Sequence, residues 1–119
     1  MNAIDLLAIQ LKRLETALHE SGKTHLKFNQ QRIARENMSF SGANGRLWIQ
    51  PVAGSYDVSL SGKALTAEMS PEMRSICGHE CNGYKQTNKR LGKRDQPYWR
   101  VEDFALVRAA VERYSKTDA

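Results

Sequence analysis

Apolar residues recur at helical spacing in the first stretch of the chain. They are Ile4, Leu7, Ala8, Leu11, Leu14 and Leu18, and Leu6 and Ile9 widen the same face. Spacing of three and four residues is typical of an amphipathic helix. Asn2 can cap its start, and Ser21-Gly22 supplies a stop signal. The pattern predicts a helix over residues 3–20, whose wide apolar face is covered by a sheet or by a second copy of the chain.

From residue 24 to residue 65 apolar and polar positions alternate, as is typical of half-buried strands. The predicted strands lie at residues 24–29, 38–41, 46–50 and 56–60. Residues 30–37 fit either a short helical turn or a continued strand. Asn44-Gly45 is the strongest short hairpin signal. This part of the chain therefore predicts an antiparallel meander of three or four strands, with one face free to pack on the first helix.

Two further helices are expected in the second half of the chain. The Ser-Pro-Glu sequence at residues 70–72 favours a helix start and Gly78 a helix end, so a short helix is predicted near 70–77. A polar, basic loop follows as far as residue 97, and acids at 102 and 103 begin the final helix. The predicted fold class is α+β: a small antiparallel sheet of 3–4 strands, with N-terminal and C-terminal helices packed on one face.

Length and composition indicate a single globular domain over residues 1–119. Hydrophobic residues make up 40% and charged residues 26% of the chain. No apolar run approaches the roughly 18 residues of a membrane span, so no membrane partner is expected. The first residues lack the basic segment of a signal peptide, which predicts a cytoplasmic location. Two cysteines, Cys77 and Cys81, are too few for a disulfide framework.

The net charge of +5 is concentrated in one segment. Six of the 18 bases and one of the 13 acids lie between Asn82 and Arg100, so the other twelve bases are balanced by twelve acids. A localised basic segment favours an anionic partner. A solvated loop without a ligand is the alternative interpretation.

The basic segment also carries the residue types that bind nucleic acid. Its cations are Lys85, Lys89, Arg90, Lys93, Arg94 and Arg100, which could neutralise phosphates. Tyr84, Tyr98 and Trp99 flank them, and aromatic rings stack on unpaired bases for about 1–3 kcal/mol per base. Tyr98 and Trp99 also fit a place in the core beneath the last helix. No helix-turn-helix, RNA-recognition signature or finger spacing accompanies the segment.

Trp48 is a further candidate whose role depends on the register of its strand. If Leu47 and Ile49 face the core, then Arg46, Trp48 and Gln50 share the opposite face. A Trp between an Arg and a Gln is typical of a binding hot spot. If the register is reversed, Trp48 lies in the core.

Cys77, His79 and Cys81 have the side chains of zinc ligands, but no second pair follows to complete a site. The sequence is compatible with a metal site at these residues but does not predict one. Cys77 near a helix C-terminus would lack the dipole that stabilises a thiolate. The carboxylates are scattered, and the chain has no P-loop, dinucleotide-binding glycine pattern or Gly-x-Ser-x-Gly elbow. We therefore predict no catalytic residue and no cofactor.

These observations predict a small non-enzymatic protein that binds nucleic acid through a tethered basic loop flanked by aromatics. Its predicted binding residues are Lys85, Lys89, Arg90, Lys93, Arg94, Arg100, Tyr84, Trp99 and Trp48. The alternative is a protein–protein interaction module, such as a phage- or plasmid-type inhibitor or accessory factor, that binds an acidic component of a nucleic-acid-handling complex. Either could form a homo-oligomer through the N-terminal helix.

Overall fold

The computed structural model describes residues 2–22, 26–32, 36–88 and 93–118. Within them the chain forms three helices and six strands. In chain order these are α1 (Ala3–Glu20), β1 (Lys27–Arg32), β2 (Glu36–Ser41), β3 (Arg46–Val52), β4 (Ser55–Ser61), α2 (Lys63–Cys77), β5 (Gly83–Asn88), β6 (Lys93–Val101) and α3 (Phe104–Thr117). None of these helices is long and apolar enough to cross a membrane.

The six strands form one antiparallel sheet in the order β1-β2-β3-β4-β6-β5. Alternate residues of its strands, such as Leu47, Ile49, Val58 and Leu60, join the buried side chains of all three helices in one core cluster. The helices therefore cover one face of the sheet. The predicted α+β class and the antiparallel sheet are confirmed.

The predicted count of three or four strands is wrong, because the basic segment is a hairpin rather than a loop. Its two strands, β5 and β6, pair with a register shift between Lys85 and Asn88, and β6 also pairs with β4. The first half of β6 is polar, and β5 lies at the edge of the sheet with a neighbour on one side only. Such a strand has little need of apolar residues, so its sequence resembles a loop.

The helix expected near 70–77 begins earlier, at Lys63, so α2 is a 15-residue helix with Pro71 inside it. Leu65, Met69 and Met73 are all fully buried and lie four residues apart, on one side of the helix. Burial of this stripe outweighs the missing N–H of the proline. Gly78 ends the helix in a left-handed conformation, as predicted, with φ of 78°.

Helix α1 is capped and placed as its sequence predicts. The Asn2 side chain accepts a hydrogen bond from the Asp5 N–H at 2.9 Å. Glu15, on the buried side of the helix, accepts bonds from the Phe28 N–H and the Lys12 ammonium, both at 2.6 Å. Burial would raise the pKa of Glu15, but these bonds hold it below its usual value. The carboxylate thus satisfies an N–H of edge strand β1.

Helix α3 is joined to the β2–β3 turn through its C-terminal end. The buried Asp118 carboxylate accepts the Asn44 N–H at 2.7 Å and contacts the Tyr114 hydroxyl at 2.9 Å. The same hydroxyl lies 2.7 Å from the Gly45 carbonyl oxygen. A side chain at Gly42 would collide with Asp118, so glycine is required there. These contacts fix the hairpin that begins β3.

Candidate binding surface on the open face of the sheet

The face of the sheet opposite the helices carries polar and aromatic side chains. Strand register places Ser39, Trp48, Ser59 and Tyr98 side by side in one row across β2, β3, β4 and β6. Their chain neighbours Leu47, Ile49, Val58, Leu60 and Trp99 are buried on the helix side. Ser39 and Ser59 are themselves buried at 2% and 3% exposure, whereas the larger Trp48 and Tyr98 are half-buried. We call this side of the sheet, opposite the helices, the open face.

Trp48 lies on the open face, in the first of the two registers considered above. Its indole N–H donates to the Ser61 hydroxyl at 2.8 Å, which fixes the orientation of the ring. The Arg46 guanidinium carbon lies 5.5 Å from the ring centroid, within the range of a cation–π contact. Trp48 is half-buried and does not belong to the core cluster.

Asp57 lies next along the same face and is only 2% exposed. It accepts bonds from Lys85 Nζ at 2.8 Å and from Arg100 Nε and Nη2 at 2.8 and 3.1 Å. Gln50 also accepts from Lys85, at 2.6 Å. Burial would raise the pKa of Asp57, but the bonds from Arg100 and Lys85 hold it below its usual value. The carboxylate is therefore ionised at neutral pH, and the cluster keeps one net positive charge.

Tyr98 is the second aromatic side chain of the open face. Lys85 Nζ lies 5.1 Å and the Arg100 guanidinium carbon 5.8 Å from its ring centroid. The ring leans over Gly83, where an added Cβ would come within 3.1 Å of Cε1. Both aromatic rings of the open face are thus accompanied by cations.

Three of the predicted binding residues, Trp48, Lys85 and Arg100, come together on this face. Trp99 is on the helix side and 1% exposed, and its indole N–H donates to the His79 carbonyl oxygen at 3.1 Å. Its place in the core removes Trp99 from the predicted binding set, because a ligand cannot stack on a buried ring.

Tyr84 pairs with Pro97 on the other side of β5 and is 54% exposed. A hydrogen bond with the Cys81 side chain raises the pKa of Tyr84.

The structure describes two of the four remaining predicted cations. Lys89 and Arg90 lie outside the described residues. Lys93 and Arg94 are the first residues of β6, and their backbone belongs to the hairpin. The backbone of Lys93 and Arg94 therefore lies at the opposite end of β6 from Arg100.

The cysteine-containing segment follows α2. Cys77 is half-buried, and burial raises the pKa of its thiol, which disfavours a nucleophilic thiolate. His79 Nδ1 lies 2.6 Å from the Glu80 carbonyl oxygen. Within residues 2–22, 26–32, 36–88 and 93–118, no group of three or more His, Cys, Asp or Glu side chains is placed to hold a metal ion.

Sequence reasoning did not assign Asp57 or Tyr98 to the binding residues. A signal for Tyr98 was present, since Tyr98 and Arg100 alternate with Trp99 and Val101 in the way that opposite faces of a strand do. No local pattern identifies Asp57, whose partners Lys85 and Arg100 lie 28 and 43 residues further along the chain.

Comparison with known proteins found no matching family model, no matching curated protein and no matching solved structure.

Proposed function

We propose that this protein binds nucleic acid without enzymatic activity, using the open face of the sheet and the basic β5–β6 hairpin beside it. One observation carries the proposal. Trp48 and Tyr98, the aromatic residues of the open face within the described part of the chain, each have a cation at their ring. Large aromatic side chains usually lie inside a protein, and on a surface with cations they supply both stacking and phosphate contacts.

The distribution of charge supports an anionic ligand. Lys85 and Arg100 share the single carboxylate of Asp57, and Arg46 lies at the Trp48 ring. The sequence of the basic segment adds four bases at residues 89–94. Phosphate contacts of this kind supply most of the sequence-independent affinity of nucleic-acid-binding proteins. Proteins with a basic surface of this type attract nucleic acid over a Debye length of about 10 Å at 0.1 M salt.

The test is the affinity for DNA and RNA oligonucleotides as a function of salt concentration. If five phosphates are contacted, we expect log K to fall against log salt with a slope between about −3.5 and −4.5. Absence of binding at low salt, or a flat salt dependence, would contradict the proposal.

A matched pair of variants distinguishes the effect of the basic segment from the effect of the net charge of the protein. One variant replaces the hairpin bases Lys89, Arg90, Lys93 and Arg94 by Gln. The control replaces four exposed bases on the helices, Arg13, Lys63, Arg108 and Lys116, by Gln, with the same change of net charge. We expect the hairpin variant to lose affinity and much of the salt slope, and the control to keep most of both. Equal losses would mean that net charge alone drives binding.

A protein partner with an acidic surface is the second candidate, because the Arg46–Trp48 pair has the composition of an interface hot spot. Under this alternative the purified protein would retain one stoichiometric protein partner after nuclease treatment. It would also show no oligonucleotide affinity at low salt, so the salt titration above distinguishes the two.

A further inference from the structure

The two aromatic rings of the open face occupy separate positions on the sheet. Trp48 and Tyr98 stand in one row with Ser59 between them. Adjacent strands lie about 4.8 Å apart, so the two backbone positions are about 10 Å apart. The Trp48 ring reaches toward Ser61, whereas the Tyr98 ring leans over Gly83. The two rings therefore lie at two distinct positions on this face.

This geometry discriminates between forms of nucleic acid. The bases of a duplex are stacked on one another and present only their edges in the grooves. The β5–β6 hairpin could contact the phosphates or a groove of a duplex, but the rings of Trp48 and Tyr98 would then have no base face to stack on. A ring on the surface of a sheet cannot reach the face of a paired base. The bases of a single strand can be splayed out and laid on such rings, as happens on other open sheets that bind RNA.

Cations lie on both sides of the aromatic row. Arg46 pairs with Ser41 and Ser61 in the row on one side, and Arg100 pairs with Asp57 in the row on the other. Lys85 passes the Tyr98 ring to reach Asp57. A backbone that crosses this face would have a cation near each stacked base, which is the arrangement that single strands require.

The side chains of the open face are already held in place by hydrogen bonds. Ser61 holds the Trp48 indole, Asp57 holds Arg100, and Asp57 and Gln50 hold Lys85. Less side-chain freedom is lost when a ligand binds to groups that are fixed beforehand. The face is thus arranged for binding before any ligand arrives.

From these observations we infer that the ligand is single-stranded DNA or RNA, with one unpaired base stacked on Trp48 and another on Tyr98. The inference rests on the proposed function and adds to it the form of the nucleic acid and the residues that hold the bases.

The experiment compares a labelled 15-nucleotide single strand, as DNA and as RNA, with the matching duplex at one salt concentration. We expect at least tenfold tighter binding of the single strand in either sugar form. Trp48→Ala and Tyr98→Ala should each weaken single-strand binding by about 5- to 150-fold. Tyr84→Ala is the matched control. Tyr84 was among the predicted binding residues, but it is an exposed aromatic residue on the side of β5 away from the open face, so its loss should change affinity by less than about threefold.

Fluorescence provides a readout that does not depend on the loss of affinity. Trp99 is buried and should not respond to ligand, so quenching by a bound base should come from Trp48. Trp48→Phe keeps an aromatic ring, and we expect it to bind within about fivefold of the parent while the quenching disappears. Circular dichroism and thermal unfolding confirm that each variant is folded.

The outcomes distinguish the single-strand inference from the proposed binding of nucleic acid. Equal affinity for single strand and duplex, or unchanged affinity in both Ala variants, would overturn the single-strand inference while salt-dependent binding upheld the proposed function. Absence of binding to either form at low salt would overturn both.

Discussion

Trp48 and Trp99 lie on opposite sides of the same sheet and are held in different ways. Trp99 fills the core beneath the helices and has one hydrogen bond, to a backbone carbonyl. Trp48 is half-buried, bonded to a side-chain hydroxyl and accompanied by an arginine. The same residue type therefore has a packing role on one face and a half-buried side chain on the other.

The comparison extends from the two tryptophans to the two faces. The helix side is filled by apolar side chains from every helix, and its stability comes from burial. The open face is built from polar and charged groups that bind one another, with Asp57 at the centre. Removal of a side chain should therefore affect mainly stability on the first face and mainly binding on the second.

The largest effect is expected for Trp99→Ala. A large aromatic residue lost from a close-packed core costs about 3–5 kcal/mol, which is much of the stability of a typical small domain. Urea unfolding followed by far-ultraviolet circular dichroism measures the change. Trp48→Ala is the matched variant on the open face and should cost less than half as much, while it removes the stacking position. Equal losses of stability would contradict the distinction between the faces.

The next effect concerns the centre of the open face. Asp57→Asn removes the charge that Lys85 and Arg100 share, and hydrogen bonds to a charged group contribute about 1.5–3 kcal/mol. The control is Glu72→Gln, since Glu72 binds Arg113 at 2.8 Å on the surface of the helices, where ion pairs contribute about 1 kcal/mol or less. A smaller loss in Asp57→Asn than in Glu72→Gln would show that the cluster does not hold the face together.

The lowered pKa of Asp57 also predicts a dependence on pH. An unfolded aspartate has a pKa near about 3.9. Because the folded pKa is lower, the unfolded chain binds protons first as pH falls. The contribution of Asp57 to stability is therefore complete above the unfolded pKa and is lost as pH falls through the folded pKa. Unfolding measured from pH 5 to pH 2 should show a shallower decline in Asp57→Asn than in the parent, and parallel curves would contradict this role.

The sequence predicted the elements whose stabilising contacts lie close together along the chain. The α1 stripe, its Asn2 cap and the Asn44-Gly45 turn each lie within a few residues of the contacts that they make. The alternation in β3 predicted that Arg46, Trp48 and Gln50 share a face, once Leu47 and Ile49 are assigned to the core.

Non-local contacts account for what the sequence could not predict. Strand β6 pairs with β4 across the whole of α2, so neither its place nor that of edge strand β5 follows from nearby residues. The Ser-Pro-Glu signal was misleading because the tertiary burial of Leu65 and Met69 outweighs it. Asp118, which holds a turn 74 residues away, has no local signal at all.

A smaller effect is expected for Ser61→Ala, which removes the acceptor of the Trp48 indole. A typical hydrogen bond contributes about 0.5–1.5 kcal/mol, and this one is partly buried. A double-mutant cycle with Trp48→Phe isolates the bond, because Phe cannot donate it. We expect Ser61→Ala to destabilise the parent but to have little effect in the Trp48→Phe background. The same loss in both backgrounds would mean that Ser61 acts through other neighbours.

We expect the smallest change in stability for Arg46→Gln. This variant is also the clearest test of the difference between the helix side and the open face. A partly exposed cation–π contact contributes about 0.5–1 kcal/mol, so unfolding should change by no more than that. If Arg46 contacts one phosphate of a single strand, its loss should reduce the magnitude of the log K against log salt slope by about 0.7. The open face would then have a residue whose contribution to binding exceeds its contribution to folding. A loss of stability near that of Trp99→Ala, with an unchanged slope, would instead make Arg46 a structural support for Trp48, and the two faces would not differ in the way proposed.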